Sequence, residues 1–81
     1  MQVTVKFTSL FRTLSGIDQD LVDLPEGTTV DQLARTLSRK YEKLPMESEQ
    51  TFFVVNEKMA KRDRILLDGD QVRIFQMFAG G

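Results

Sequence analysis

The sequence predicts an α+β roll, a small mixed sheet of about five strands crossed by one main helix. Three observations point to it. The first segment alternates apolar and polar residues almost from residue 1. A single central stretch carries apolar residues at helical spacing behind a capping signal. Two further apolar runs have strand character, the second close to the C-terminus. The order is strand, strand, helix, strand, short strand, strand, which leaves one helix to cover one sheet face.

In the first run Val3, Val5 and Phe7 point one way and Gln2, Thr4, Lys6 and Thr8 the other, a half-buried strand. Leu10, Phe11 and Leu14 then recur at spacings of three and four, a short helical turn or loop that Gly16 ends. Asp20 to Leu24 is a second strand with Val22 and Leu24 inward, paired with the first as a hairpin. Pro25-Glu26-Gly27 is a turn.

Thr29 and Gln32 have capping-box spacing and open a helix expected to run to Glu42. Val30, Leu33, Ala34, Leu37 and Tyr41 share its apolar face, while Asp31, Arg35, Ser38, Arg39 and Glu42 face water. Leu44-Pro45 stops it, and Met46 to Gln50 is expected as a polar connector. Thr51 to Val55 (TFFVV) reads as a strand buried on both faces, with Phe52 and Phe53 in the core alongside Leu33 and Leu37. Asn56-Glu57 is a tight turn, and Lys58 to Ala60 returns as a short edge strand. Ile65 and Leu67 are expected to anchor the following loop, and Asp68-Gly69-Asp70 is a turn. Val72 to Met77 is the last strand, with Val72 and Ile74 inward and Arg73 and Phe75 outward. The first and last strands are the longest, so they are expected to pair centrally and in parallel.

Composition narrows the function classes. The 81 residues suit one domain, and no internal repeat or linker divides them. The chain has no Cys, His or Trp. That excludes thiolate nucleophiles, imidazole acid–base catalysis and Cys/His zinc sites built from these residues, and no bound metal or cofactor is expected. With 11 basic and 12 acidic residues the net charge is −1, which offers no global attraction to nucleic acid. No apolar run reaches the ~18–20 residues of a membrane span, and the N-terminal run lacks a signal-peptide core. A cytoplasmic protein without catalytic side chains is the expectation.

The most informative residues are Gly80 and Gly81. At about 7 % glycine, a terminal pair arises by chance in roughly 0.5 % of chains. One reading is a frayed end. The other is a thin reactive arm, residues 76–81, projecting from a rigid body. Without Cβ atoms the pair can thread a narrow channel, and its carboxylate can reach the α-phosphate of a nucleotide held by a partner. The resulting acyl-adenylate is open to attack by sulfur or an amine.

Four stretches carry a family resemblance: VKFTSLFRTLSG (Val5 to Gly16), LPEGTTVDQLARTL (Leu24 to Leu37), VVNEK (Val54 to Lys58) and LLDGDQVRIF with the closing GG (Leu66 to Gly81). In order and spacing the chain resembles the ubiquitin-like sulfur carriers of the MoaD/ThiS superfamily. The resemblance implies a β-grasp fold. It also implies that Gly81 is adenylated by a ubiquitin-activating-like adenylyltransferase, which uses ATP, and is then converted to a thiocarboxylate. In the molybdopterin branch the tail enters the large synthase subunit and donates sulfur to a pterin precursor. The opening from Phe7 to Gly16 looks like that branch, whereas IFQMFAGG looks closer to thiamine carriers. Thiamine sulfur carriage, or conjugation of Gly81 to lysines as a protein modifier, are the alternatives.

Within that frame Gly81 is the activated residue, and Met77, Phe78, Ala79 and Gly80 thread the partner. Phe75, pointing away from the core, is expected to dock the activating enzyme and the acceptor subunit; the alternative is packing under a loop. Met59 extends such a patch, and Arg12 aligns with an interface arginine of the family or is simply solvated. Lys58, Lys61, Arg62 and Arg64 are expected to form a solvated basic loop. Lacking interleaved aromatics, it does not suit nucleic acid. Asp68 and Asp70 are too few for a calcium loop.

Overall fold

Apolar alternation puts Val3, Val5 and Phe7 on the buried side of β1 (Gln2–Phe7). The computed structural model describes residues 1–77. Helix α1 (Ser9–Ser15) follows and is closed by Gly16 at φ 80°, whose N–H donates to the Arg12 carbonyl at 2.9 Å. That left-handed cap is strained for most residues with a Cβ, so glycine is favoured there. β2 (Gln19–Asp23) returns antiparallel to β1 with Val22 opposite Val3, and Val22 and Leu24 are buried as expected.

Helix α2 (Val30–Lys40) opens on the expected capping box. The Gln32 N–H donates to Thr29 Oγ1 at 3.2 Å, and the Thr29 N–H donates to Gln32 Oε1 at 2.9 Å. Val30, Leu33, Ala34 and Leu37 are fully buried. The helix stops at Lys40, short of the expected Glu42. Tyr41 leaves helical geometry, its ring meets Phe7 edge-on at 5.5 Å, and its hydroxyl donates to Asp20 at 2.7 Å.

The remaining strands are β3 (Thr51–Val55), β4 (Lys58–Ala60) and β5 (Gln71–Gln76). Five strands lie in the order β2-β1-β5-β3-β4. β1 and β5 are parallel neighbours, as expected, and β3 runs antiparallel to both β5 and β4. Asn56 and Glu57 take positive φ values of 50° and 70°, the pair of left-handed residues a two-residue hairpin prefers. The turn is fastened from below: Asn56 Nδ2 donates to Asp70 Oδ1 at 2.8 Å, and the Leu67 N–H donates to Asp70 Oδ2 at 2.8 Å. Both oxygens of Asp70 are thus engaged in building turns.

Four expectations are corrected. β3 is flanked by strands on both edges but covered on one face only, so Thr51, Phe53 and Val55 are buried while Phe52 and Val54 are half-buried. Phe52 is therefore not core. The connector after α2 is not purely polar: Met46 and Leu44 are buried, at 1 % and 4 % exposure, and complete the core beside the helix. The loop anchor is Leu66 rather than Ile65 and Leu67. A bridge from Thr29 to Ile65, with the Leu66 N–H donating to the Thr28 carbonyl at 2.8 Å, sets an extended alternation that turns Leu66 inward. Arg62 is not a solvated member of its basic loop. It bonds Asp31 at 2.8 Å, the Met46 carbonyl at 3.2 Å and Glu47 at 3.3 Å, and stands 5.5 Å above the Phe53 ring.

Two carboxylates tie these elements together and give the fold a pH dependence. Burial pushes the Asp20 carboxyl up, but hydrogen bonds from Lys40 and Tyr41 and the Lys40 charge outweigh it, leaving it below its ordinary value. Asp31 is lowered chiefly by its hydrogen bond from Arg62, against a smaller effect of burial and with help from the Arg35 charge. A carboxyl held below its unfolded value of about 3.9 stabilises the fold above that pH and loses the contribution as pH falls through the folded value. The Tm is expected to stay level from about pH 8 to 5 and to drop below about pH 4. Asp20→Asn should flatten the acid limb of a Tm-against-pH series; an unchanged acid slope would contradict the linkage.

Candidate functional site

The helices cover one face of the sheet, so the side chains of alternate strand positions are left on the other. Register places Phe52 opposite Phe75 and sets Val54 between Arg73 and Met59. The Phe52 and Phe75 rings pack at 6.2 Å between centroids, tilted by 30°. Phe75 is half-buried by this pairing and sits on the open face, not under a loop. Met59 is 56 % exposed, so it joins the same apolar strip through Val54.

At the C-terminal end of β5 the strip continues onto α1. The Thr8 hydroxyl donates to the Ile74 carbonyl at 2.8 Å and holds the start of α1 against β5. Thr8, Ser9, Leu10, Phe11, Phe75 and Gln76 line an open notch of about 330 Å³. Leu10 is 42 % exposed there, which puts an unassigned apolar residue beside Phe75. Helical spacing grouped Leu10 with Phe11 and Leu14; a seven-residue helix buries one narrow stripe, which in α1 is the buried Phe11 with the half-buried Leu14.

Gln76 still belongs to the sheet, opposite Thr51, so β5 ends one residue before the expected Met77 and takes in the first residue of the expected arm 76–81. The Met77 N–H donates to the Gln50 carbonyl at 2.9 Å, and its side chain is 48 % exposed. Phe78, Ala79, Gly80 and Gly81 lie outside the described residues. Arg12 does not line the notch; its Nε stands 3.8 Å from Asp18, with both side chains largely exposed. Phe75, Met59 and Met77 are thus on or beside the apolar strip, and Arg12 is paired with Asp18 outside the notch lining.

Among the described residues no group of three or more potential ligands is placed to hold a metal ion. No helix among them is long and apolar enough to cross a membrane. What the surface offers is an apolar strip that leads from the sheet's open face to the point where the chain leaves β5.

A mixed five-stranded sheet with central parallel β1 and β5, crossed by one long helix, is the β-grasp fold of ubiquitin-like proteins. The ThiS family model matches residues 5–81, and the chain belongs to that family of ubiquitin-like sulfur carriers. It is similar to a Pyrococcus furiosus protein named for molybdopterin converting factor, subunit 1: 30 % identity over 94 % of this chain and 97 % of that one, TM-score 0.84. Two further solved structures share the fold. SAMP1 from Haloferax volcanii has 17 % identity over 100 % of both chains, TM-score 0.87. Urm1 from Trypanosoma brucei has 22 % identity over 99 % of this chain and 95 % of that one, TM-score 0.75. No curated protein matches the chain in sequence.

Proposed function

We propose that this chain is a sulfur carrier in which the Gly81 carboxyl is the reacting group and pterin sulfuration is the first pathway to test. The observation that carries the proposal is the family match, which runs from β1 through Gly81. A carboxylate oxygen of Gly81 attacks the α-phosphorus of ATP on an activating enzyme, and pyrophosphate leaves. A hydrosulfide then attacks the acyl carbon, expels AMP and releases a proton, and the chain keeps a thiocarboxylate. ATP belongs to the partner, and the chain is its substrate. Gly80 supplies a neighbour without a side chain, and residues 77–79 span from the body to the partner's reaction centre.

The likeness to the Pyrococcus furiosus protein supports a pterin acceptor, such as a molybdopterin synthase large subunit. The IFQMFAGG run, similar to thiamine carriers, makes thiazole assembly the second acceptor to test. Co-expression with a cognate adenylyltransferase and a sulfur donor should add about 16 Da, sulfur in place of oxygen. An unchanged mass beside a working activating enzyme would contradict the proposal. Ladders of heavier conjugates, lost on deleting Gly81, would move the chain to the modifier reading.

The apolar strip supplies the docking side of the same proposal. Aromatic residues dominate interface energetics when a partner desolvates them. Phe75→Arg is expected to weaken binding to the activating enzyme at least about tenfold. Since Phe75 is only half-buried on the open face and loses chiefly its packing with Phe52, the Tm should fall by less than about 12 °C and the chain should still fold cooperatively. Unfolding of the variant in a thermal melt would show instead that Phe75 acts as core.

A further inference from the structure

Two cations on the open face are placed against each other. Lys6 of β1 and Arg73 of β5 are register partners in the parallel ladder, so their side chains stand on the same face of adjacent strands. Like charges directly opposite one another in a sheet cost stability. Among the described residues neither makes an ion pair within 4.0 Å, whereas Arg12, Arg35, Lys40 and Arg62 each do. Of the other cations without such a pair, Lys58 on β4 stands opposite Val55 and Arg39 lies on α2, and no other ladder among the described strands sets two cations opposite each other.

The surroundings do not offset the charge. The ladder neighbours are Gln19 opposite Lys6 on β2 and Val54 opposite Arg73 on β3, both neutral. Along the strands Thr4, Gln71 and Phe75 are neutral as well. The nearest acidic positions on this face are peripheral. Asp23 lies at the far end of β2 and accepts from Gln2, and Glu57, exposed, lines the groove with the two cations but is not within 4.0 Å ion-pair distance of either. That groove is open and holds about 420 Å³, with Gln71, Asn56 and Val54 completing its walls.

We infer that Lys6 and Arg73 form a paired cationic site that receives a carboxylate of the activating enzyme holding the C-terminal segment. The inference rests on the carrier reading above and adds to it the charge of the surface that docks. Arg73 is four residues before Met77, about 13 Å of extended chain. A partner that grips the segment after Met77 therefore lies over this groove and the apolar strip beside it. A carboxylate brought there by the partner relieves the repulsion between the two cations and is desolvated against Val54 and Phe75. A second copy of this chain, docked face to face, would set cations against cations, so charge disfavours self-association through the groove.

The test is ATP–pyrophosphate exchange by the activating enzyme, driven by the full chain and by Lys6→Gln, Arg73→Gln and the double variant. Each single substitution should raise the KM for the carrier about tenfold and the double substitution about 30-fold or more, with kcat within about twofold. The wild-type KM should climb with salt, and that of the double variant should change little. In the free protein the substitutions should leave the Tm unchanged or raise it by about 1–4 °C at low salt, because repulsion is removed. Lys6→Arg and Arg73→Lys should restore most of the affinity. A double variant with wild-type KM, alongside a Gly81-deleted chain that is inert, would overturn the cationic site and leave the carrier reading standing. A raised KM accompanied by a Tm lowered by more than about 5 °C would assign the pair a structural role and overturn the site equally. A wild-type chain that supports no exchange would overturn both.

Discussion

Replacing Gly81 by valine, or adding one residue after it, is expected to lower thiocarboxylate formation by about 100-fold or more while leaving the melting curve unchanged. In the proposed reaction the reacting carbon is the Gly81 carbonyl, and the nucleophile must approach it along a restricted line while AMP departs. A β-branched side chain on that residue occupies the space beside the carbon, and about 1 Å of displacement can cost ~100-fold in rate. An added residue moves the reacting carbonyl onward and turns the Gly81 carbonyl into an amide, which ATP does not activate. Among the described residues the buried core lies within residues 3–74, so the body should not register either change. Thiocarboxylate yield by intact mass, set beside a thermal melt of the same sample, checks both halves of the expectation.

Phe53→Ala should be the most damaging single substitution in the body, and Phe52→Ala, one residue away, should be mild. Phe53 is 2 % exposed, lies opposite Ile74 on β5 and carries the Arg62 guanidinium above its ring. Emptying such a site costs about 3–5 kcal/mol, against a total of roughly 4–12 kcal/mol for a chain of this length. Phe52 faces the open side and loses chiefly its packing with Phe75, a pair worth about 0.5–1.5 kcal/mol. At about 4–8 °C per kcal/mol, thermal melts should fall by roughly 12–40 °C for Phe53→Ala and by roughly 2–12 °C for Phe52→Ala. Equal losses at the two positions would contradict the one-sided burial of β3.

The contrast between these two phenylalanines also marks where the sequence was legible. Strong periodic signals translated directly. The alternation of Val3, Val5 and Phe7 became β1, the Thr29–Gln32 spacing became a capping box, and Val30, Leu33, Ala34 and Leu37 became the buried stripe of α2. The parallel pairing of β1 with β5 followed from having one crossover helix and two long apolar strands. TFFVV misled because a continuous apolar run looks the same whether a strand is covered on both faces or leaves its outer residues half-buried on an open face. Ile65-Leu66-Leu67 misled because its alternation is set by the distant backbone of Thr28 and Thr29. Arg62 could not be read from its neighbours in the chain, since Asp31, Glu47 and Met46 come from other elements.

The candidate site shows the same division. The outward position of Phe75 was legible from strand parity alone and that of Met59 from the short edge strand, while its register partner Val54 was not. Leu10 was not, because a one-turn stripe does not say which of two adjacent apolar residues turns inward. The Lys6–Arg73 pair was also hidden, since their opposition depends on the register between the first and last strands. Strand parity turned each residue outward; the ladder set them side by side.

The central claim is that the chemistry occurs on the main-chain carboxyl of Gly81 and nowhere on the folded body. It is tested most directly by incubating the chain with its activating enzyme, ATP and a sulfur donor, digesting it, and fragmenting the C-terminal peptide in a mass spectrometer. The account predicts an added mass of about 16 Da confined to the fragment that contains Gly81, lost on treatment with a thiol-alkylating reagent in favour of the alkylated form. The same increment on any fragment lacking Gly81, or full sulfur transfer from a chain whose terminal peptide keeps its original mass, would contradict it.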